Sequence, residues 1–215
     1  LFTQQAADGK HRCDQPAAVR FSAFKLGDAA TTKQVMVKHL VCACTGLPRQ
    51  DLEWLFEFKG VTPEGALATL ATMQPTTKFG EMFQYSNAMA GAAGFTAGHV
   101  LFPELELGAA YDRAMQAYVF DPLGMTSTTF DYARALAGNH AGTHAPDMDG
   151  KPSHAVMELN YAVIPLRPAG AAWSNGISLI RSTNEYISFS TMSVTSPTPR
   201  TNNSVRSTIG VRILR

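Results

Sequence analysis

The most regular hydrophobic pattern in the chain follows the triplet Thr62-Pro63-Glu64. Threonine is a favoured helix N-cap, and proline is favoured at the first helical position because its missing N–H is not needed there. Three apolar residues then follow at helical spacing: Leu67, Leu70 and Met73. This spacing puts side chains on one face of a helix. The sequence therefore predicts a helix that begins at Pro63, buries these three side chains and ends before Pro75.

Other segments give shorter or weaker patterns. An alanine-rich stretch that begins at Ala88 predicts a second helix, and residues 111–119 predict a third. Small side chains in the second helix permit close packing against a neighbour; they are Ala90, Gly91, Ala93 and Gly94. The remaining expectations are the end of a helix within residues 1–10, mostly loop over residues 11–34, a short helix within residues 35–41, irregular chain over residues 76–87 and short strands near residues 155–165.

Composition and charge narrow the class of protein. Of the 215 residues, 45% are apolar, which is enough for the core of one domain or somewhat more. The 18 basic and 17 acidic residues nearly balance, so no clustered basic face argues for nucleic acid. No apolar run approaches the roughly 18 residues that span a bilayer. We therefore expect a soluble chain, for which periplasmic and cytoplasmic locations both stay open.

The cysteines and the C-terminal composition carry two further expectations. Cys42 and Cys44 flank one alanine, which is neither the C-x-x-C spacing nor a favourable spacing for a disulfide, so free thiols are expected.

After Asn175 the chain is dense in Ser, Thr and Arg. We therefore divide it into a folded region, residues 1–175, and a divergent, weakly structured segment, residues 176–215.

The triplet Tyr85-Ser86-Asn87 is the first candidate for chemistry. In an extended segment, residues i and i+2 point to the same side, so Tyr85 and Asn87 would face one cleft. A phenol is a useful proton shuttle if a nearby cation lowers its pKa from about 10. An amide can orient a substrate carbonyl. Alone, such a triplet is more typical of a surface loop.

Several segments, in the same order along the chain, resemble those of serine β-lactamases, DD-peptidases and related esterases, the β-lactamase/penicillin-binding-protein superfamily. Residues 24–28 are similar to that family's "FKLGD", residues 39–48 to its "HLLTHTSGLP", and residues 80–87 to its "G..F.YSN". Residues 120–128 and 167–174 are similar to its "F.PLGM..T" and "PAGG..S". Together with Asp8-Gly9-Lys10, these segments cover about residues 8–175.

The resemblance implies a fold and a chemistry. The fold is an antiparallel sheet flanked by helices and joined to a mostly helical domain, to which this chain chiefly corresponds. We therefore expect an α/β (α+β) structure, rich in helices, with short antiparallel strands. The chemistry uses a Ser-x-x-Lys nucleophile, the Tyr-x-Asn element and a Lys-Thr-Gly or His-x-Gly strand. Tyr85 would then be the proton shuttle and Asn87 the orienting group.

Two of these three motifs are not convincingly present. Ser22-Ala23-Phe24-Lys25 fits Ser-x-x-Lys by letter, so Ser22 and Lys25 are kept as candidate catalytic residues. Lys25, however, falls on the "FKLGD" segment, and Gly27-Asp28 interrupts the helix that the motif requires. The resemblance therefore places the true nucleophile before Leu1. The nearest match to the third motif, Thr208-Ile209-Gly210, lacks the preceding Lys or His.

Further residues are candidates with plainer alternatives. Trp54 would form an aromatic wall for an apolar acyl group, although ordinary packing explains it as well. Gly170, within the segment similar to "PAGG", is a candidate substrate-binding residue. Three loop histidines (His140, His144, His154), with Asp147 and Asp149, lack a metal-ligand pattern and are expected to be solvated. No metal or organic cofactor is implied.

Two functions from different classes follow. The first is a serine hydrolase, incomplete in this chain, that acts on a β-lactam, a D-amino-acid peptide or a small ester through an acyl-enzyme. The second is a non-catalytic ligand-binding or interaction fragment of the same fold. The partners expected are a small-molecule substrate and, to cover exposed apolar surface, a second copy of the chain. Nucleic acid and a membrane span are not expected.

Overall fold

A computed structural model describes Leu1, residues 12–57 and residues 59–175. The helix end expected in residues 1–10 lies outside the described residues except for Leu1, which belongs to no helix or strand. The divergent segment, residues 176–215, also lies outside the described residues. The α-helices are α1 (Ala17–Arg20), α2 (Ala29–Gln34), α3 (Leu52–Phe56), α4 (Pro63–Ala68), α5 (Asn87–Leu101), α6 (Leu107–Met115), α7 (Tyr132–Ala137) and α8 (Glu158–Tyr161). Single 3₁₀ or π turns cover Val37–Leu40, Thr69–Thr72, Gln116–Phe120 and Ile164–Ala169. Strands β1 (His144–Pro146) and β2 (Pro152–His154) form one antiparallel pair.

Helix α5 is the centre of the described fold. It begins where Ser86 accepts a hydrogen bond from the Met89 N–H, which satisfies one of the free donors at the helix start. Most of its residues are buried, with Phe95 and Thr96 fully so. A helix that is apolar on all sides belongs inside a domain. The helix predicted from Ala88 is thus confirmed, beginning one residue earlier.

Glycines let α5 approach its neighbours more closely than any other residue would. A Cβ built on Gly98 would lie 2.6 Å from the Tyr111 N of α6, and one on Gly94 would lie 2.3 Å from the Cβ of Pro168. On Gly91 it would lie 2.8 Å from Leu166. Of the small residues expected to permit close packing, Gly91 and Gly94 set the distance from α5 to the Ile164–Ala169 turn, whereas Gly98, which was not among them, sets the distance to α6.

Helix α4 follows its sequence signature. The Thr62 side chain accepts from the Gly65 N–H, and Pro63 occupies the first helical position. Leu67, Leu70 and Met73 are all buried, as predicted. The α-helix ends at Ala68, continues as the Thr69–Thr72 3₁₀ turn and stops before Pro75. These side chains join Phe24, Leu26, Leu40, Leu47 and Phe95 in one apolar cluster.

One local prediction was wrong. Residues 155–165 hold α8 and the start of a 3₁₀ turn rather than strands, because Ala162, Pro165 and Leu166 are buried at helical spacing. Short apolar runs do not distinguish the two kinds of structure. Residues 11–34 were expected to be mostly loop and turn, and the described residues among them are, apart from the short helices α1 and α2. Helix α2 begins at Ala29 because the Asp28 side chain accepts from the Thr31 N–H as an N-cap.

The strands are short and lie away from the core. β1 and β2 pair in the register His144 with His154, Ala145 with Ser153 and Pro146 with Pro152. The expectation of a helix-rich α/β fold with short antiparallel strands is confirmed. Among the helices that the structure describes, none is long and apolar enough to cross a membrane.

Candidate active site

The segment that carries Tyr85 is held against the chain around Cys44. The backbone N–H groups of Thr76, Gly80 and Gln84 donate to the carbonyl oxygens of Gly46, Cys44 and Ala43, at 2.8, 2.8 and 2.7 Å. Residues 76–86 contain no helix or strand, as predicted. These hydrogen bonds take the place of regular secondary structure. They hold the chain just before Tyr85, and α5 holds the chain just after it.

The structure brings Tyr85 and Asn87 together. The Tyr85 hydroxyl donates to the Asn87 Oδ1 at 2.8 Å, and the Asn87 Nδ2 donates to the Asp51 Oδ1 at 3.0 Å. Asp51 precedes α3, so this chain of hydrogen bonds joins two distant parts of the sequence. The amide of Asn87 is oriented by the carboxylate, and it in turn orients the phenol.

A cation lies beside this group. The Arg49 guanidinium is 5.8 Å from the centre of the Tyr85 ring and pairs with the Asp51 carboxylate. The Arg49 side chain is 65% exposed and that of Asp51 is 12% exposed. Water therefore screens the positive charge more than it screens the carboxylate.

Tyr85 forms one side of a small open recess. Its other lining residues come from the Val37–Leu40 turn and the segment after it, and from the residues just before α5 and its first turn: His39, Leu40, Val41, Ala43, Thr45, Gln84, Ser86, Met89 and Ala90. Most of these side chains are apolar or small. A recess of this kind suits a compact substrate with few polar groups.

His39 is a recess residue that was not among the sequence-derived site residues. Its Nδ1 accepts from the Met36 N–H at 3.1 Å, and its ring packs edge-on against Phe79, with centroids 4.9 Å apart. Burial, with a smaller effect of the Lys38 charge, lowers the pKa of His39 below its ordinary value. The ring is therefore neutral at pH 7, with its proton on Nε2. The only sequence signal was its place at the head of the segment before Gly46-Leu47-Pro48.

The expectation that Cys42 and Cys44 are free thiols was wrong. Cys42 and Cys44 form a disulfide across the single residue Ala43, with their Cα atoms 5.2 Å apart. Ala43 has φ +53°, in the left-handed region. That conformation turns the chain back on itself and brings the two Cα atoms within disulfide range. Cys13 is a free thiol.

The two candidate catalytic residues Ser22 and Lys25 lie away from the recess. Ser22 and Lys25 are exposed on a turn after α1, between the buried Phe21, Phe24 and Leu26, and neither lines the recess. The turn is not helical, so the arrangement that a Ser-x-x-Lys motif needs is not formed there.

The structure does not test the predicted roles of Trp54 and Gly170. Trp54 is in α3, but its side chain lies outside the described residues. Gly170 ends the Ile164–Ala169 turn with φ +141°, which only glycine adopts readily, and it is exposed. Its backbone N–H donates to the Arg167 carbonyl. A role for either residue in binding stays a prediction.

Ser86 is a serine in the recess, but its oxygen is already engaged. Its Oγ accepts from the Met89 N–H at 3.3 Å, and the residue is 7% exposed. This is the contact of a helix N-cap. Within the described part of the chain, no group of three or more His, Cys, Asp or Glu residues is arranged to hold a metal ion.

Comparison with protein families identifies the fold. The Beta-lactamase family model matches residues 1–208, and the chain belongs to that family, a group of serine hydrolases. The matched range includes most of the segment after residue 175. Among curated protein sequences, none matches the chain.

Solved structures agree with this assignment. An octameric penicillin-binding protein homologue from Pyrococcus abyssi is similar with a TM-score of 0.68 and 20% identity, over 86% of this chain and 41% of its own. A β-lactamase/D-alanine carboxypeptidase from Pseudomonas syringae gives 0.61 and 20%, over 86% and 46%. A D-amino acid amidase from Ochrobactrum anthropi SV3 gives 0.62 and 18%, over 87% and 51%. At this identity the likeness establishes the fold. The chain spans about half the length of these proteins.

Proposed function

We propose that this chain supplies the tyrosine–asparagine side of the acyl-transfer site of a serine hydrolase. The observation that carries the proposal is the hydrogen bond from the Tyr85 hydroxyl to the Asn87 Oδ1, at 2.8 Å, at the edge of the recess. Membership of the Beta-lactamase family supports the reaction class. The substrate is an amide or an ester: a β-lactam, a D-amino-acid peptide or a small ester.

Tyr85 has the position of a proton carrier. A serine oxygen attacks the substrate carbonyl carbon, an acyl-serine ester forms, and the bond to the leaving nitrogen or oxygen breaks. The proton lost by the serine passes through the Tyr85 oxygen to the leaving group. Water then hydrolyses the ester by the reverse sequence. The Arg49 guanidinium lies 5.8 Å from the ring centre of this tyrosine.

Asn87 and Asp51 act by positioning this phenol. The Asp51 carboxylate holds the Asn87 amide so that its oxygen faces the Tyr85 hydroxyl. An oriented acceptor restricts the phenol to one rotamer before the substrate arrives, which lowers the entropic cost of reaching the transition state. Asp51→Asn therefore removes the charge that orients Asn87. Asp51 itself is not proposed to contact the substrate.

We propose a nucleophile other than Ser22. Ser22 and Lys25 are on a non-helical turn, and the Ser86 oxygen caps α5. The chain spans about half the length of the similar structures, which leaves room for a nucleophile supplied by further sequence.

Covalent labelling tests the acyl-enzyme. The 215-residue chain, and the protein expressed from its complete reading frame, are treated with a fluorescent penicillin and with a fluorophosphonate. We expect the complete protein to be labelled, and the label to survive Ser22→Ala. Loss of the label in Ser22→Ala would identify Ser22 as the nucleophile instead. Absence of labelling by both reagents would contradict a serine hydrolase and favour a non-catalytic binding role.

Several exposed apolar side chains support association with further protein. Val41, Phe56 and Phe83 are 66%, 73% and 75% exposed. Side chains of this size are normally covered by other parts of a fold or by another subunit. One similar structure is described as octameric. We propose that a second copy of the chain covers these residues. Sedimentation should then give the mass of a dimer or a larger assembly.

A further inference from the structure

The β1–β2 hairpin gains little from the core. Its strands have three residues each, and apart from the half-buried Ser153 all of them are exposed. A two-stranded hairpin without a buried face is only marginally stable in water. Something other than apolar packing must therefore contribute to any lasting order in this hairpin.

His144 and His154 stand directly opposite each other in it. The Ala155 N–H donates to the Thr143 carbonyl, and the Asp147 N–H donates to the Lys151 carbonyl. Hydrogen-bonded and non-hydrogen-bonded pairs alternate along an antiparallel ladder, so His144 and His154 form a non-hydrogen-bonded pair. Side chains of such pairs approach most closely.

The two imidazole rings have the spacing of ligands to one ion. Their centroids are 5.5 Å apart, and their planes meet at 74°. Two imidazoles bound at about 2.0–2.1 Å to a shared metal place their centroids roughly 4.5–6.3 Å apart, depending on the angle at the metal. The observed spacing lies inside this range without movement of the backbone.

The hydrogen bond of His144 leaves its Nε2 available to bind a metal ion. Its Nδ1 lies 3.0 Å from the Gly142 carbonyl oxygen. A carbonyl only accepts, so Nδ1 carries the proton and Nε2 has a free lone pair. Metal-bound histidines commonly donate their other N–H to a backbone carbonyl in this way.

Gly142 keeps the space between the ring tips open. A Cβ at Gly142 would lie 3.6 Å from the His154 Nε2 and 3.7 Å from the His144 Cε1. The His154 Nε2 and the His144 Cε1 therefore both border the space beside this glycine. A larger side chain at position 142 would occupy the volume where an ion and its water ligands would sit.

The nearby carboxylate is engaged in the turn. The Asp147 Oδ1 accepts from the Asp149 and Lys151 N–H groups, at 3.0 and 2.9 Å. Its role is to close the turn between the strands. Two imidazoles without a carboxylate form a nitrogen donor set, which favours late first-row divalent ions over Mg²⁺ or Ca²⁺.

We propose that His144 and His154 form a two-imidazole binding site for a late first-row divalent transition-metal ion, Cu²⁺ most strongly, with water completing its coordination. The ion links β1 to β2 and stabilises the hairpin that packing leaves marginal. This site is separate from the Tyr85 recess and does not depend on the hydrolase proposal.

Copper titration of the untagged 215-residue chain tests the site. With substoichiometric Cu²⁺ near neutral pH, electron paramagnetic resonance should give hyperfine structure from two imidazole nitrogens, and calorimetry one site per chain. His144→Ala and His154→Ala should each weaken binding about tenfold or more, because each removes a ligand. Both variants should also lose the two-nitrogen spectrum.

His140→Ala is the matched control. His140 is a loop histidine whose Nδ1 faces the Gly138 carbonyl, and its ring packs on Trp173 rather than on the pair. Its removal should leave affinity and spectrum unchanged. Gly142→Leu keeps both histidines and should weaken binding by filling the space between them. Unchanged binding in His144→Ala and His154→Ala, or equal loss in His140→Ala, would overturn the proposal.

Discussion

At the scale of single residues, the recess depends on contacts that join distant parts of the sequence. Tyr85 is oriented by Asn87, Asn87 by Asp51, and Asp51 is paired with Arg49. The i, i+2 spacing of Tyr85 and Asn87 was enough to predict that they share a side. Asp51 and Arg49 could not be predicted, because they come from a segment 36 residues before Asn87 that only the folded chain brings near.

His39 gives a pH-dependent prediction. Burial, ahead of the smaller effect of Lys38, lowers the pKa of His39 in the folded chain below its ordinary value near 6.5. The unfolded chain therefore binds this proton more readily. The stability that His39 contributes is complete above about pH 6.5 and is lost as the pH falls through the lowered pKa.

His39→Asn tests this sign. The asparagine Oδ1 can accept from the Met36 N–H in place of the His39 Nδ1, but it does not titrate. Urea unfolding at about pH 7.5 and pH 5 should show a smaller loss of stability in the variant than in the wild-type chain. Equal losses in the two proteins would contradict the assignment of a depressed pKa to His39.

At the scale of elements, local signals located the helices that have clear caps. Thr62-Pro63 fixed the start of α4, and the alanine-rich run fixed α5 to within one residue. Residues 155–165 were misassigned because their burial depends on packing against α5, which periodicity over a short run does not reveal. The disulfide was missed for a similar reason, since it depends on the left-handed conformation of Ala43.

The contact of α5 with α6 yields a paired prediction on glycine. In Gly98→Ala, the new Cβ would meet backbone atoms of Tyr111 and Ala110 at 2.6–2.9 Å, and backbone cannot yield as a side chain can. We expect a loss of about 1–3 kcal/mol or more. Gly65→Ala in α4 is the control, because its Cβ would make ordinary contacts at 3.5–3.6 Å.

The control should be neutral or gain about 0.5–1 kcal/mol from helix propensity. Thermal or urea unfolding of the two variants measures the difference. If Gly98→Ala proved as stable as Gly65→Ala, the close approach of α5 to α6 would be wrong.

At the scale of the whole molecule, we propose that the chain carries one side of a site. It belongs to the Beta-lactamase family and spans 41%, 46% and 51% of three similar structures. The described residues that line the recess include the Tyr85 phenol but no lysine. The sequence could predict the family because several motifs in the same order identify a family even where a catalytic motif is not convincingly present. Substrate choice depends on surfaces that one sequence does not define.

The acylation rate of the Tyr85→Phe variant tests the central claim most directly. In the protein from the complete reading frame, the variant keeps the ring against Arg49 but removes the hydroxyl that bonds to Asn87. Tyr161→Phe is the matched control, since it removes another partly exposed phenol beside Tyr132 and outside the recess. We predict that the fluorescent penicillin acylates Tyr85→Phe about 10²–10⁴-fold more slowly than the wild-type protein, and Tyr161→Phe at the wild-type rate. Acylation of Tyr85→Phe at the wild-type rate would contradict the account.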